Sequence, residues 1–270
     1  MNPFTRRDLF RMSAGVAACA VLPRAFAQEF GGFKMGMESY SVRNFDLDKA
    51  LAMYKELGIP YAEIFADKHM PFTADSEKIK GYKARLEAAS VTAWGFWGGS
   101  FPKDPEKSRG KFAFAKAMGT KLLVGDPEPD SFDALEALSK EYGVRVAIHN
   151  HGPKTRYDKI ADLAKALDGR SENIGTCVDT GHYIRTGEDP VAALKQFGSR
   201  VLEVHLKDAS APTVFNVLGQ GKLDILGTLR ALKAIKFDGC MALEYEEKPE
   251  NPMDDLKACI AKVRETVKQL

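Results

Sequence analysis

Residues 121–151, KLLVGDPEPDSFDALEALSKEYGVRVAIHNH, carry the pattern that decides the fold. Lys121–Gly125 is a short apolar run and Asp126–Pro129 is turn chemistry. Asp130–Tyr142 then repeats apolar residues at helical spacing, and Gly143 falls just past the helix end, where a positive φ is wanted. Arg145–His151 opens a second apolar run. The same unit recurs in both directions. Strand-like runs fall at Lys34–Ser41, Tyr61–Phe65, Thr92–Trp97, Lys121–Gly125, Arg145–His151, Gly175–Thr180, Val201–Lys207 and Met241–Glu246. Helical patterns lie between them, among them Leu47–Leu57, Ser76–Ala89, Asp130–Tyr142, Tyr157–Leu167 and Ile225–Ile235, and Met253–Leu270 closes the chain. Gly58, Gly119 and Gly239 sit at helix ends as Gly143 does. Eight strand–helix repeats in about 240 residues predict α/β architecture as a single (β/α)8 TIM barrel. A doubly wound open sheet is the competing topology, but it usually has fewer strands. No linker or low-complexity segment marks a second domain.

Such a barrel places its active site at the carboxyl ends of its strands. Those ends hold Glu63 (second strand), Asp126 (fourth), His149 and His151 (fifth), Asp179 (sixth), His205 and Lys207 (seventh), and Glu244 and Glu246 (eighth). Four of the five histidines lie within Ile148–Leu206. The steps 149→179→205→244 are 30, 26 and 39 residues, about one strand–helix unit each. His149, Asp179, His205 and Glu244 are therefore expected to converge from four neighbouring strands. Two imidazoles and two carboxylates suit one divalent ion, Mn²⁺, Co²⁺, Fe²⁺ or Zn²⁺, whereas Mg²⁺ or Ca²⁺ prefers oxygen donors.

His151 points to the same side as His149 by two-residue alternation. Either can serve as the ligand, and the reading adopted gives the ion to His149 and proton transfer to His151. His182 is expected to act as an acid/base or hydroxyl partner, with a structural cap as the alternative. Lys207 is expected to stabilise an enolate or orient a hydroxyl, with an outward salt bridge as the alternative. Glu63 is placed in the catalytic set, bonding substrate or a ligand histidine. Trp94, Phe96 and Trp97 read as core, with one indole at the strand end free to stack on a sugar. His69 reads as a solvated loop residue. Gly219-Gln220-Gly221 lacks the context of a phosphate loop and reads as a turn positioning Lys222 and Asp224.

The first 27 residues stand apart. Thr5-Arg6-Arg7-Asp8-Leu9-Phe10 resembles a twin-arginine motif, an apolar stretch runs to Leu22, and Ala25-Phe26-Ala27 is a small-x-small cleavage site. The mature chain is expected to begin at Gln28 and to be periplasmic, with barrel residues 28–270. Lipoprotein processing at Cys19 is the alternative. The apolar run is too short, and too broken by Pro23-Arg24, to span a bilayer. The whole chain carries 39 basic and 37 acidic residues, and without its first 27 residues it carries 35 and 36. That neutrality does not suit phosphate-backbone attraction, so no nucleic-acid partner is expected. Cys177, Cys240 and Cys259 have no disulfide or zinc-knuckle spacing and read as small buried hydrophobes.

The motifs Met37-Glu38-Ser39-Tyr40-Ser41-Val42-Arg43, Ile148-His149-Asn150-His151, Val178-Asp179-Thr180-Gly181-His182, Val204-His205-Leu206-Lys207-Asp208, Gly219–Asp224 and Leu243-Glu244 together resemble the xylose-isomerase-like barrels, over roughly residues 31–270. These are sugar phosphate isomerases/epimerases with inosose dehydratase and ketose epimerase relatives. The resemblance implies that Asp179, His205 and Glu244 bind a divalent metal. Many epimerases of the superfamily have Glu on the fifth strand, as ligand and base, where this chain has His149. Histidine there also occurs in exported relatives that act as lyases on 3-keto-glycosides.

Three function classes follow. The first is an isomerase/epimerase-like enzyme that abstracts a proton beside a carbonyl, with the metal polarising that carbonyl and holding the enediolate; its alternative outcome is elimination across C1–C2 of a 3-keto-glycoside. A metal-dependent endonuclease would need about three ions and more histidines. A sugar-binding barrel would not need converging ligands. The reading adopted is the first, on an unphosphorylated sugar or polyol, because no Arg/Lys cluster marks a phosphate pocket.

Overall fold

The computed structural model describes residues 29–270, so the export signal expected at residues 1–27 lies outside the described residues. Strands β1 (Lys34–Glu38), β2 (Tyr61–Phe65), β3 (Thr92–Phe101) and β4 (Leu122–Pro127) form half of a closed barrel. The other half is β5 (Arg145–His149), β6 (Ile174–Asp179), β7 (Val201–Leu206) and β10 (Cys240–Leu243). A hairpin of β8 (Asp208–Ala211) and β9 (Val214–Asn216) stands between the last two. The order around the ring is β1–β10–β7–β6–β5–β4–β3–β2, with every neighbour parallel. Met37 pairs with Ala62 on one side and Leu243 on the other, which closes the sheet and excludes the open alternative.

Local chemistry sets the helix limits. The helix Leu47–Leu57 starts where Asp46 accepts the Lys49 N–H at 2.8 Å and stops at Gly58, whose φ of 67° is left-handed. Its buried Tyr54 donates its hydroxyl to the Met37 carbonyl at 2.7 Å, tying the helix to β1. Gly119 and Gly143 end helices in the same way. Gly239 does not, because Lys236 takes the left-handed turn. Gly239 is needed for a different reason: a Cβ there would lie 2.2 Å from the Leu202 carbonyl oxygen.

Strand ends depart from the sequence expectation where side chains replace the ladder. β5 stops at His149 rather than His151 because Asn150 exchanges hydrogen bonds with the backbone of Asp179, at 2.8 and 2.9 Å. β10 stops at Leu243 rather than Glu246, and Ser41 Oγ accepts the Tyr245 N–H at 3.0 Å. His151, Glu244 and Glu246 thus sit on loops just beyond the strands. The hairpin and the turn Gly219–Gly221 are knotted by Asp208, whose carboxylate accepts the N–H groups of Ala209, Gly219, Gly221 and Leu223. The three described cysteines are buried and free. No helix among the described residues is long and apolar enough to cross a membrane.

Candidate active site

Asp179 and His205 end β6 and β7 as register partners, which sets their side chains beside each other at the barrel mouth. His149 comes from the end of β5 and Glu244 from the residue after β10, so the four donors occupy one continuous arc of the ring. His205 Nδ1 lies 3.1 Å from His149 Nε2, 2.9 Å from Glu244 Oε2 and 3.7 Å from Asp179 Oδ2, and His149 Nε2 lies 3.5 Å from Asp179 Oδ2. An ion about 2.1 Å from each donor would hold neighbouring donors about 3.0–3.4 Å apart, so these spacings fit one small divalent ion. Asp179 Oδ2 and Glu244 Oε2 are buried, with Lys207 Nζ 3.1 and 3.0 Å away and His205 Nδ1 2.9 Å from Glu244 as their cationic neighbours, so both oxygens sit where positive charge is held.

The electrostatics match. Burial pushes His149 down to about 4, leaving a neutral imidazole near pH 7. Burial opposes ionisation of Asp179, yet His182 and Lys207 outweigh it and hold the carboxyl well below its usual range. Glu244 is likewise brought to about 2, where the Lys207 charge and the His205 hydrogen bond overcome burial. For His205 the order reverses: burial disfavours its charge, but Cys177, Glu63 and Asp179 raise it well above an ordinary imidazole.

A second group, Glu63, Cys177 and His205, flanks the other imidazole nitrogen, with His205 Nε2 at 2.5 Å from Glu63 Oε2. Burial pushes the Cys177 thiol far up, so it stays protonated and donates poorly to a metal. The upper set, with two ionised carboxylates, is the better cation site. Glu63 does not line the cavity over these donors, and of the two partners the sequence offered it, substrate or histidine, the structure shows the histidine: it is fully buried and bonds His205.

The cavity above the donors has a volume of about 300 Å³ and is bounded by Glu38, Tyr40, Phe65, Trp97, His151 and Glu246 together with His149, His205 and Glu244. Two halves are distinct. The metal-directed donors come from the β5–β6–β7–β10 arc, whereas Tyr40 follows β1 by two residues, Phe65 ends β2 and Trp97 lies within β3. Tyr40 and Phe65 meet edge to face at 5.1 Å, and Arg43 lies 4.4 Å over the Tyr40 ring. Trp97 is the indole on the cavity wall, but it lies four residues inside β3, which runs on to Phe101 rather than ending at Trp97. Phe96 is fully buried, and Trp94 lines a crevice with Arg145 and Gly239.

His151 is exposed on the cavity wall, 4.2 Å from His182 between ring centroids. His182 and Lys207, expected to meet substrate, are almost fully buried and are not on that wall. Arg185 donates to His182 Nδ1 at 2.8 Å, and burial holds His182 well below its usual value. Lys207 Nζ reaches Asp179 at 3.1 Å, Glu244 at 3.0 Å and Glu246 at 2.6 Å, a buried cation behind three carboxylates. Gly181 allows this, since a Cβ there would lie 2.5 Å from Lys207 Cγ. His69, expected in solvent, is buried with Nδ1 2.8 Å from Ser39 Oγ. The sequence reading also passed over Glu38 and Tyr40, although both stand at the end of the first strand-like run, because it inspected the ends of the later strands only.

The inosose dehydratase of Clostridium perfringens is 26% identical, with 65% of this chain and 77% of the relative aligned. A solved structure of an uncharacterised protein from Parabacteroides distasonis superposes with a TM-score of 0.68 at 26% identity, covering 86% of this chain and 97% of the other. The 3-keto-D-glucoside 4-epimerase of E. coli shares the fold, with a TM-score of 0.68, 16% identity, and 86% and 99% coverage. The xylose isomerase-like TIM barrel family matches residues 51–264, most of the described chain, and with eight parallel strands closed around this mouth the protein belongs to that family.

Proposed function

We propose that this protein is a divalent-metal enzyme that removes a proton beside a carbonyl of an unphosphorylated sugar or polyol, and so acts as an isomerase/epimerase-like or eliminating enzyme. The observation that carries this reading is the pairing of a four-donor cation site with an exposed, separate imidazole, His151, on the same 300 Å³ cavity. The donors His149, Asp179, His205 and Glu244 would hold the ion, which supplies Lewis-acid polarisation of a carbonyl oxygen when bound. His151 takes the α-proton, since it is open to the cavity and outside the donor set. Tyr40, Phe65 and Trp97 receive the apolar face of the sugar ring. Among the described residues the cavity wall contains no Arg or Lys, which supports an uncharged substrate.

Elimination has one observation of its own in favour: the curated relatives at this similarity are inosose dehydratases, enzymes named for loss of water. Export by the twin-arginine route with cleavage after Ala27, giving a periplasmic enzyme, is part of the same proposal and rests on the sequence of residues 1–27. The deciding experiment incubates metal-loaded protein with ketoses, inososes and 3-keto-glycosides in D₂O and follows products by NMR. Deuterium at the α-carbon of recovered substrate or product is expected. Turnover in which every product keeps the original α-hydrogen, or a preparation with full activity and no bound ion, would overturn the reading.

A further inference from the structure

We propose that Glu38 is a catalytic acid, which protonates the oxygen leaving the β-carbon of the substrate while His151 takes the α-proton. The inference rests on the α-proton abstraction proposed above and adds a second group to it, so that elimination is the outcome.

Position comes first. β1 and β5 stand four strands apart in either direction around the ring, so they lie on opposite sides of the mouth. Glu38 is the last residue of β1 and His151 lies two residues past β5, so the two groups address the cavity from opposite walls. The donor arc runs between them on one side and the aromatic arc on the other. A substrate seated there with its ring on the aromatics presents one edge to each group.

The carboxyl is also built for the task. Glu38 is 3% exposed yet borders the cavity. Its Oε2 accepts the N–H of Tyr40, which fixes the carboxyl plane. Its Oε1 is buried with no hydrogen-bond partner among the described residues. Buried polar atoms are ordinarily paired, so an unpaired one on a residue that borders a cavity marks a place for a ligand atom. Burial, reinforced by Glu63 and Glu244, raises the carboxyl well above its usual range, so it carries a proton to give.

The step balances without a further reagent. The α-carbon loses its proton to His151, and the C–H electron pair becomes the new C=C bond. The bond from the β-carbon to oxygen breaks with its electron pair, and that oxygen takes the Glu38 proton and leaves as an alcohol. Imidazolium and carboxylate remain, and proton exchange with water in the cavity restores both.

The test uses the metal-loaded protein with methyl and 4-nitrophenyl 3-keto-glucosides. An alkoxide needs a proton to leave and a nitrophenoxide does not. In Glu38→Gln, elimination of the methyl glycoside should fall about 10²–10⁴-fold. The nitrophenyl glycoside should lose less than tenfold, and α-deuterium exchange in D₂O should persist with metal content unchanged. Glu38→Asp, which shortens the reach but keeps the carboxyl, should show the same split to a smaller degree and serves if the glutamine variant does not fold. Equal losses on both glycosides, unchanged rates on both, loss of the ion, or an epimerised ketone as the sole wild-type product would each overturn the role of Glu38. Wild-type turnover that leaves the α-hydrogen in place would instead overturn the underlying proton abstraction, and the Glu38 step with it.

Discussion

Glu63 Oε2 lies 2.5 Å from Nε2 of His205, although the two residues are 142 positions apart and reach each other across the interior from β2 and β7. The contact orients the imidazole: Nε2–H donates to the carboxylate, so Nδ1 is the nitrogen turned towards Asp179 and Glu244 and the one an ion would take once its proton is displaced. A carboxylate behind a ligand histidine commonly raises its basicity and holds its ring plane.

Glu63→Gln should therefore weaken metal binding by about 10–100-fold while leaving the barrel folded. Competition against a chelator of known affinity measures the loss. An unchanged affinity would show that packing alone orients His205.

Asp179→Asn, His205→Ala and Glu244→Gln should each lower metal content and activity together, because each removes one donor from the mouth. The rise in melting temperature that an ion gives the wild type should shrink in all three, since a ligand stabilises only in proportion to its affinity for the folded state. A variant that keeps both ion and activity would take its residue out of the site.

His151→Ala and His149→Ala should differ in kind. Loss of a general base costs about 10²–10⁴-fold in kcat, so His151→Ala should lose that much, and its α-deuterium exchange, with metal content intact. His149→Ala should lose ion and turnover alike. Exchange that survives in His151→Ala but vanishes in His182→Ala or Glu63→Gln would move the base to one of those residues.

Metal uptake should release a proton. His205 is held well above the ordinary imidazole value, so near pH 7 the metal-free ring is charged, and an ion at Nδ1 must displace that proton. His149 at about 4 and Glu244 at about 2 are already deprotonated there and release none. Affinity should then fall about tenfold per unit as pH drops below the raised His205 value, and more steeply near pH 4, where His149 begins to compete. The metal-free protein shows the opposite sign for His205: a raised folded pKa stabilises below the unfolded value, and that contribution is lost as pH rises through the folded one. Titration calorimetry in two buffers of different ionisation enthalpy counts the protons, and a count of zero at pH 7 would contradict the charge assigned to His205.

For the exported protein, intact mass should match a chain beginning at Gln28. An acylated Cys19 at the amino terminus would place the enzyme on a membrane instead.

The barrel and its donor arc were legible in the sequence because each depends on one-dimensional regularities. Period-two runs, helical stripes and glycines after helices gave the alternation, and the 30-, 26- and 39-residue steps put His149, Asp179, His205 and Glu244 on neighbouring strands. What escaped depends on depth and direction. Lys207 and His182 follow strand ends as surely as His151 does, yet they fold behind the donors, held by Glu246 and Arg185 in contacts that no spacing encodes. His69 sits in a polar stretch but is drawn inward by Ser39. Glu38 was missed through neglect of a readable signal, since a carboxylate at the end of the first apolar run obeys the same rule that found Glu63.

The two arcs of the mouth also divide the chain in time order. Every metal-directed donor lies between residues 149 and 244, whereas the aromatic wall is complete by residue 97. Under the proposed function, ion chemistry and sugar preference would thus be written in different halves of the polypeptide. A chimera that takes residues 31–120 from another barrel of this family and keeps the remainder would inherit the donor's choice of sugar face while retaining its own affinity for the ion, so long as Glu63 is preserved beneath His205.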